Sequence, residues 1–167
     1  EKATQKYGNR PPFYVTHIAG IFDEYLATYA KREGIEIPLD IINEAGCAVS
    51  RQGYRLLKER GYDGLLLGGG ARGTHHFTEL VGGNLHITIN WGTAQEIIEA
   101  GIPVVSRIDS DCPQEILNEL CEKLPDFKKA IDPDGLQVEE FEAYGPVLHF
   151  KNQFVKGYNH LLSEIVS

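Results

Sequence analysis

The sequence predicts an α/β fold, and three observations support that prediction. Helical and strand patterns alternate through the middle of the chain. The strand candidates include a short apolar run without polar alternation, which is typical of a parallel strand covered on both faces. Glycine follows several helical segments, as at Gly34, Gly61 and Gly101, where it favours helix termination. Together these features indicate βα units built around a parallel sheet.

Three segments are predicted to be strands. Residues 12–19 (PFYVTHIA) are aromatic and β-branched, residues 62–68 (YDGLLLG) contain the apolar run, and residues 85–90 (LHITIN) again mix apolar and β-branched side chains. A closed (β/α)8 barrel needs eight strands. Three parallel strands alone would leave two unpaired edges. The pattern therefore favours a sheet whose other strands come from elsewhere, with a small open α/β layer as the alternative.

Helical periodicity fills the chain between and after these strands. Apolar residues recur at helical spacing in residues 21–29, 47–60 and 92–101, and a short helix is predicted over residues 75–83. The last third of the chain shows helical periodicity and no strand candidate. We expect the helix that begins near Pro113 to be capped by Ser110 or Asp111, which are residue types that accept from the first turn.

Composition narrows the classes of function. With 167 residues, the chain has the length of one ordinary domain, so a single domain over residues 1–167 is expected. The formal net charge of −8 argues against nucleic acid or an anionic membrane as a partner. No signal peptide or membrane-spanning run is seen. Three cysteines without a CxxC pair favour a reduced, cytoplasmic protein. Because methionine is absent, we expect a fragment of a longer chain.

The most informative stretch is YDGLLLGGGARGTHH, residues 62–76, where an apolar run leads into glycines and an arginine. At the carboxyl end of a parallel strand, Gly69, Gly70 and Gly73 would let backbone N–H groups approach a ligand. Arg72 adds a permanently charged, planar group suited to phosphate or carboxylate. An anion pocket is one interpretation. The alternative is a tight turn whose arginine pairs with a surface carboxylate.

Other polar and aromatic candidates have two interpretations each. His17, at the end of the first predicted strand, could be a substrate hydrogen-bond partner or proton shuttle, or an inert, satisfied histidine. His75 and His76 are adjacent, so on a helix they should diverge by about 100° and not face one ion. No metal site and no cofactor are therefore predicted. Trp91 could close the mouth of a barrel, but a buried packing aromatic is the expectation we favour.

Residues 59–83, ERGYDGLLLGGGARGTHHFTELVGG, resemble the seventh strand and flanking helices of transaldolases, and Arg72 aligns with that family's phosphate-binding arginine. FYVTHIAGIFDEYL (13–26) is similar to the family's sixth strand and helix, and HITINWGTAQEII (86–98) to its eighth. The segment 139–165 resembles the C-terminal helices. The resemblance covers most of this chain but only the last three βα units of the barrel.

The resemblance implies the C-terminal portion of a class I aldolase-type (β/α)8 barrel, with about three βα units plus C-terminal helices. The implied chemistry is Schiff-base transfer of a dihydroxyacetone unit between sugar phosphates in the pentose phosphate pathway. The family's lysine lies on strands that this sequence lacks, so this chain alone is predicted to be inactive. Its implied partners are a phosphorylated sugar and a missing N-terminal barrel segment or second chain, and a homo-oligomer is expected.

The same alignment suggests site residues and departures from the family. Thr16 stands near the family's serine and His17 near its phenylalanine, so both are expected to contact substrate, beside a phosphate held by Arg72, Gly69, Gly70 and Gly73. Gly70 replaces a serine, and the family's second arginine falls at Gly20 or Ile21. The alternatives are a non-catalytic sugar-phosphate-binding or assembly module that lacks the lysine, and an unrelated open α/β binding domain.

Overall fold

The computed structural model describes residues 2–8 and 12–166 as a mixed α/β structure. One domain was expected over residues 1–167. By its internal contacts the chain divides into two compact units, one of residues 1–20 and 46–111 and one of residues 21–45 and 112–167. The first contains the sheet and the second is helical.

The three strands form one parallel sheet in the order β1–β2–β3, and the bounds are β1 (Phe13–His17), β2 (Gly64–Gly68) and β3 (Leu85–Ile87). Each strand lies within its predicted segment and is shorter than it. His17 is in register with Gly68, and Gly68 with Ile87, so the carboxyl ends of all three strands lie side by side. The predicted α/β class and the predicted parallel pairing of the three strands are confirmed.

The helices of the described chain are α1 (Lys2–Tyr7), α2 (Ala19–Glu33), α3 (Leu39–Ile42), α4 (Ala45–Glu59), α5 (His75–Thr78), α6 (Trp91–Glu99), α7 (Gln114–Lys123), α8 (Pro125–Ile131), a 3-10 helix (Val138–Ala143) and α9 (Gly145–Val166). Of these, α1 and α3 were not predicted from the sequence, and α8 was not predicted as a separate helix. The described part of the last third is helical, without a strand. No helix in the part of the chain that the structure describes is both long and apolar enough to cross a membrane.

The expected cap of α7 is wrong. Pro113 occupies the N-cap position, and no side chain accepts a hydrogen bond there from the first turn. Asp111 instead forms an ion pair with Arg55 of α4, with 2.8 Å between Nη2 and Oδ1. The reason is that a long arginine side chain from α4 reaches this loop, which the local sequence does not reveal.

One face of the sheet packs against α4. Leu66 of β2 is 2% exposed, and a Cβ on Gly53 of α4 would lie 3.9 Å from its Cδ1. Alternate strand residues point to the other face. There, Tyr14 is 54% exposed and its ring centroid lies 5.5 Å from that of His86. On that face of β2, Leu65 and Leu67 are half-buried, so the central strand is covered less there than on the face that packs against α4.

The helical unit has its own apolar core, and its largest fully buried side chains are Leu26, Leu120, Leu124 and Phe127. The rings of Phe22 and Phe127 lie 6.5 Å apart, which joins α2 to α8. Beside this core, the Tyr25 hydroxyl donates to Asp126 Oδ2, and the Tyr144 hydroxyl donates to the Asp126 main-chain oxygen at 2.6 Å. These bonds fasten α2, α8 and the segment before α9 together.

Candidate functional site

The carboxyl ends of the three strands converge on Gly69. Its N–H donates to the His17 main-chain oxygen at 2.9 Å, and the Thr88 N–H donates to the Gly68 oxygen at 3.0 Å. A Cβ on Gly69 would lie 3.7 Å from Thr88 Oγ1 and 3.9 Å from Thr16 Cγ2. Two hydroxyl-bearing side chains therefore flank a position without a side chain. Thr88 was not singled out in the sequence, although its place at the end of the third predicted strand was a usable signal.

The loop after β2 turns at Gly70, whose φ of +61° is strained for any residue with a Cβ. Among the described residues, no atom accepts a hydrogen bond from the N–H groups of Gly70 and Gly73. Both donors are therefore available to a ligand, as in the backbone nests that bind anions. The expectation that a glycine of this loop adopts a positive φ is confirmed at Gly70, and the use of these glycines in binding a ligand stays a prediction.

Arg72 lies against the loop that carries it. Its Nη1 donates to the Gly70 oxygen at 3.3 Å, and its backbone N–H donates to His76 Nδ1 at 3.4 Å. The side chain is exposed to solvent. The guanidinium, a planar cation whose shape suits phosphate or carboxylate, thus lies beside the glycine turn that follows the central strand. Arg72 therefore places a permanent positive charge at the strand ends of a chain whose formal net charge is −8.

Gly20 is a site residue that the sequence reasoning missed. A Cβ at this position would lie 2.2 Å from the Gly70 oxygen and 2.7 Å from the Arg72 nitrogen. Such distances are far inside van der Waals contact, so any side chain would displace the loop.

The buried His76 contacts the backbone of the loop that carries Arg72. It is 2% exposed, and its Nδ1 accepts the Arg72 N–H. The expected divergence of the two adjacent histidines is wrong, because the ring centroids of His75 and His76 lie 4.0 Å apart. The helix that carries them, α5, has only four residues. One turn aligns few peptide dipoles, so attraction for an anion here depends on Arg72 and the loop N–H groups.

Thr16 and His17 do not share a face. The His17 ring points to α4, and its Nδ1 lies 2.7 Å from Oγ of the fully buried Ser50. Thr16 is exposed on the opposite face, beside Gly69. The bond to Ser50 favours the interpretation of His17 as a satisfied histidine, since it accounts for the ring orientation without a ligand. Thr16 is the better placed of the two for contact at the strand ends.

Trp91 is not a buried packing aromatic. It begins α6 just after β3 and is 75% exposed. The helix is held by other residues: the Asn90 side chain accepts from the Thr93 N–H at 3.0 Å, and Thr93 is itself 8% exposed. The indole therefore stands in solvent on the side of the sheet where the strands end.

Comparisons with protein-family models, with curated proteins and with solved structures find no match for this chain.

Proposed function

We propose that this chain binds the phosphate group of a phosphorylated sugar at the loop that follows β2. The observation that carries the proposal is the position of Arg72, whose guanidinium contacts the Gly70 oxygen at the carboxyl end of the central strand. Ligand sites of α/β folds lie at the carboxyl ends of parallel strands. The loop supplies a fixed cation and two N–H donors there, which matches an anionic head group.

We further propose that the chain is the C-terminal part of a transaldolase-like (β/α)8 barrel. Its three strands are parallel and follow the sequence order across the sheet. β1 is exposed along most of its length, with Phe13 at 44%, Tyr14 at 54% and Val15 at 40%. A strand that exposes large apolar residues at a sheet edge invites a further strand. An N-terminal barrel segment or a second chain would supply it.

In that assembly the reaction is Schiff-base transfer of a dihydroxyacetone unit, and the other strands bring the lysine. Within the described residues no lysine ends a strand: Lys58 lies on α4, and Lys151 and Lys156 lie on α9. The same placement favours a second candidate, a non-catalytic sugar-phosphate-binding or assembly module. Both candidates use the Arg72 loop and differ only in whether a lysine is added.

The first prediction concerns Arg72→Ala. A charge-assisted hydrogen bond to phosphate is worth about 1.5–3 kcal/mol, so affinity for a sugar phosphate should fall about 10- to 150-fold. Isothermal titration calorimetry measures the change. Arg72→Lys should lose part of this affinity because it keeps the charge without the planar fork. Arg32→Ala, which removes an exposed arginine of the helical unit, is the matched control. Equal affinity of Arg72→Ala and the parent chain would remove Arg72 from the site.

Borohydride trapping separates the two candidates. Fructose 6-phosphate is incubated with this chain alone and with the longer protein or paired chain, then reduced and weighed by intact-mass spectrometry. An adduct formed only in the complete assembly supports the transferase. A complete assembly that binds the sugar phosphate but never forms a reducible adduct supports the binding module instead.

A further inference from the structure

We infer that Trp91 is the contact for the sugar part of the ligand, so that the site selects phosphate esters carrying a ring over phosphate alone. This inference rests on the proposed phosphate site and adds a specificity-determining residue to it. It starts from one unexplained feature. Trp91 is the only tryptophan of the chain and is 75% exposed, more than any other aromatic side chain of the described residues.

The position of Trp91 connects it to the phosphate loop. Thr88 flanks Gly69, with its Oγ1 3.7 Å from where a Cβ on that glycine would lie. Trp91 follows Thr88 by three residues, so their Cα atoms lie no more than about 11 Å apart, whatever the conformation of the connection. A hexose phosphate bound through its phosphate at the loop can therefore extend as far as the indole.

The local structure fixes where Trp91 stands. Asn90 caps α6 by accepting from Thr93, and the burial of Thr93 anchors the inner side of the first turn. Trp91 precedes Thr93 by two residues, which is about 200° around a helix, so its side chain is directed away from that anchored side. The exposure of the Trp91 side chain therefore follows from the way Asn90 and Thr93 fix the first turn of α6.

The chemistry of indole suits a sugar better than it suits water. Indole has a broad apolar face and one N–H donor, so it is enriched where one side of a contact is apolar and the other is wet. A pyranose ring presents its C–H groups on one face and its hydroxyls around the rim. When the indole stacks on the pyranose, apolar area on both rings is removed from water and the sugar hydroxyls stay hydrated. The entropic cost is small because the tryptophan side chain has only two rotatable bonds.

The test compares three probes: inorganic phosphate, glycerol 3-phosphate and glucose 6-phosphate. Because Trp91 is the only tryptophan, its emission reports this position alone. Glucose 6-phosphate should shift the emission in a saturable way, and inorganic phosphate should shift it little. By calorimetry, Trp91→Ala should bind glucose 6-phosphate about three- to tenfold more weakly and inorganic phosphate unchanged, and Trp91→Phe should retain part of the difference.

Two controls keep the outcomes distinct. Phe154→Ala removes a comparably exposed aromatic from α9, 66% exposed, and should leave all three affinities unchanged. If Trp91→Ala binds all probes as the parent chain does, while Arg72→Ala still loses affinity, the inference about Trp91 is wrong and the phosphate site stands. If the parent chain binds none of the probes, the phosphate site itself is wrong.

Discussion

The space beside Gly20 is filled by the backbone of the loop that carries Arg72. A methyl group there would meet the Gly70 oxygen at 2.2 Å. The two nearest atoms, the Gly70 oxygen and the Arg72 nitrogen, both belong to the backbone, so the contact can be relieved only by moving the loop. The orientation of Arg72 and the absence of a side chain at Gly20 are therefore one feature of the site, contributed by two distant segments.

This contact gives the second prediction. Gly20→Ala should destabilise the protein by about 1–3 kcal/mol through overpacking, and it should weaken phosphate-ester binding because the Arg72 loop must shift. Gly53→Ala on α4 is the matched control. Its Cβ would meet its nearest neighbour at 3.9 Å, so the exchange should raise stability by up to about 1 kcal/mol without changing affinity. Urea unfolding and calorimetry give the two readouts. Equal behaviour of the two variants would contradict the contact.

At the residue scale, the residues of the candidate site that lie in one segment could be predicted from the sequence. Gly69, Gly70, Arg72 and Gly73 follow directly from an apolar run, glycines and a cation in a row. Gly20, Thr88 and His76 could not be found in that way. Their roles depend on which distant segments touch, and a single sequence does not show this. His17 illustrates the same limit, because its partner Ser50 is 33 residues away.

Among the elements, a buried arginine joins three segments of the first unit. Arg51 of α4 is 3% exposed, and its Nη2 donates to Oε2 and to the main-chain oxygen of Glu79, which follows α5. Arg107, in the segment after α6, lies 3.7 Å from the other carboxylate oxygen of Glu79. The carboxylate of Glu79 thus supplies a negative charge beside the buried guanidinium of Arg51.

The third prediction removes that carboxylate. Glu79→Ala keeps the main-chain oxygen that Arg51 contacts but removes the carboxylate, so the buried guanidinium loses the charge of this partner and unfolding free energy should fall by about 3–5 kcal/mol. Asp111→Ala, which breaks the ion pair with Arg55 at a side chain that is 84% exposed, should cost no more than about 1 kcal/mol. Urea unfolding of both variants measures the contrast. Similar small losses would show that solvent reaches Arg51.

The helical unit leads to a fourth prediction, on alkaline pH. Burial, and the bond to Asp126, raise the pKa of Tyr25, and burial beside the same carboxylate raises the pKa of Tyr144. A raised pKa in the folded state means that the neutral phenols stabilise the fold below pH about 10, the ordinary pKa of tyrosine. That contribution should be lost progressively as the pH rises above about 10.

Absorbance at alkaline pH measures the ionisation of the phenols. In the parent protein, some tyrosines should ionise only at a pH above the ordinary range. Tyr144→Phe and Tyr25→Phe should each lower the number of these tyrosines by one. Tyr158→Phe, which changes a phenol that is 61% exposed, is the control and should leave the late ionisation of Tyr25 and Tyr144 in place. The stability of Tyr144→Phe, followed by urea unfolding, should fall less steeply above pH about 10 than that of the parent. Ionisation of all phenols together would contradict the burial of this pair.

The elements themselves were predictable where periodicity is strong. The three strands and the long helices α2, α4 and α6 follow from apolar spacing and glycine. Their ends were less predictable, since pairing decides where a strand stops: β3 ends at Ile87, although the predicted strand continues to residue 90. The short helix α8 was not predicted, because its place depends on the burial of Leu124 and Phe127 in the helical core, which apolar spacing alone does not show.

Over the whole molecule, large apolar side chains remain exposed in both units. In the first unit they include Phe13, Tyr14 and Val15 of β1, and also Trp91 and Val104. In the second, α9 has no buried residue along its 22 residues, and it exposes Phe154 at 66%, Tyr158 at 61% and Ile165 at 71%. Large apolar side chains that are exposed in such numbers are typical of surfaces that other chains or segments cover. A barrel fragment would have this property, because its missing strands leave one sheet face and two edges open.

The last prediction tests that open sheet. Tyr14 lies on the uncovered face of the edge strand β1, so Tyr14→Lys places there the charge with which proteins block strand addition. The parent chain alone should self-associate with rising concentration in sedimentation velocity and bind a hydrophobic dye, and Tyr14→Lys should reduce both. Val138→Lys is the control, since it adds the same charge at a site that is 73% exposed but lies on the 3-10 helix. Association that Val138→Lys reduces as much as Tyr14→Lys would be due to net charge. A parent chain that stays monomeric and binds no dye would favour a self-contained α/β layer over an incomplete barrel.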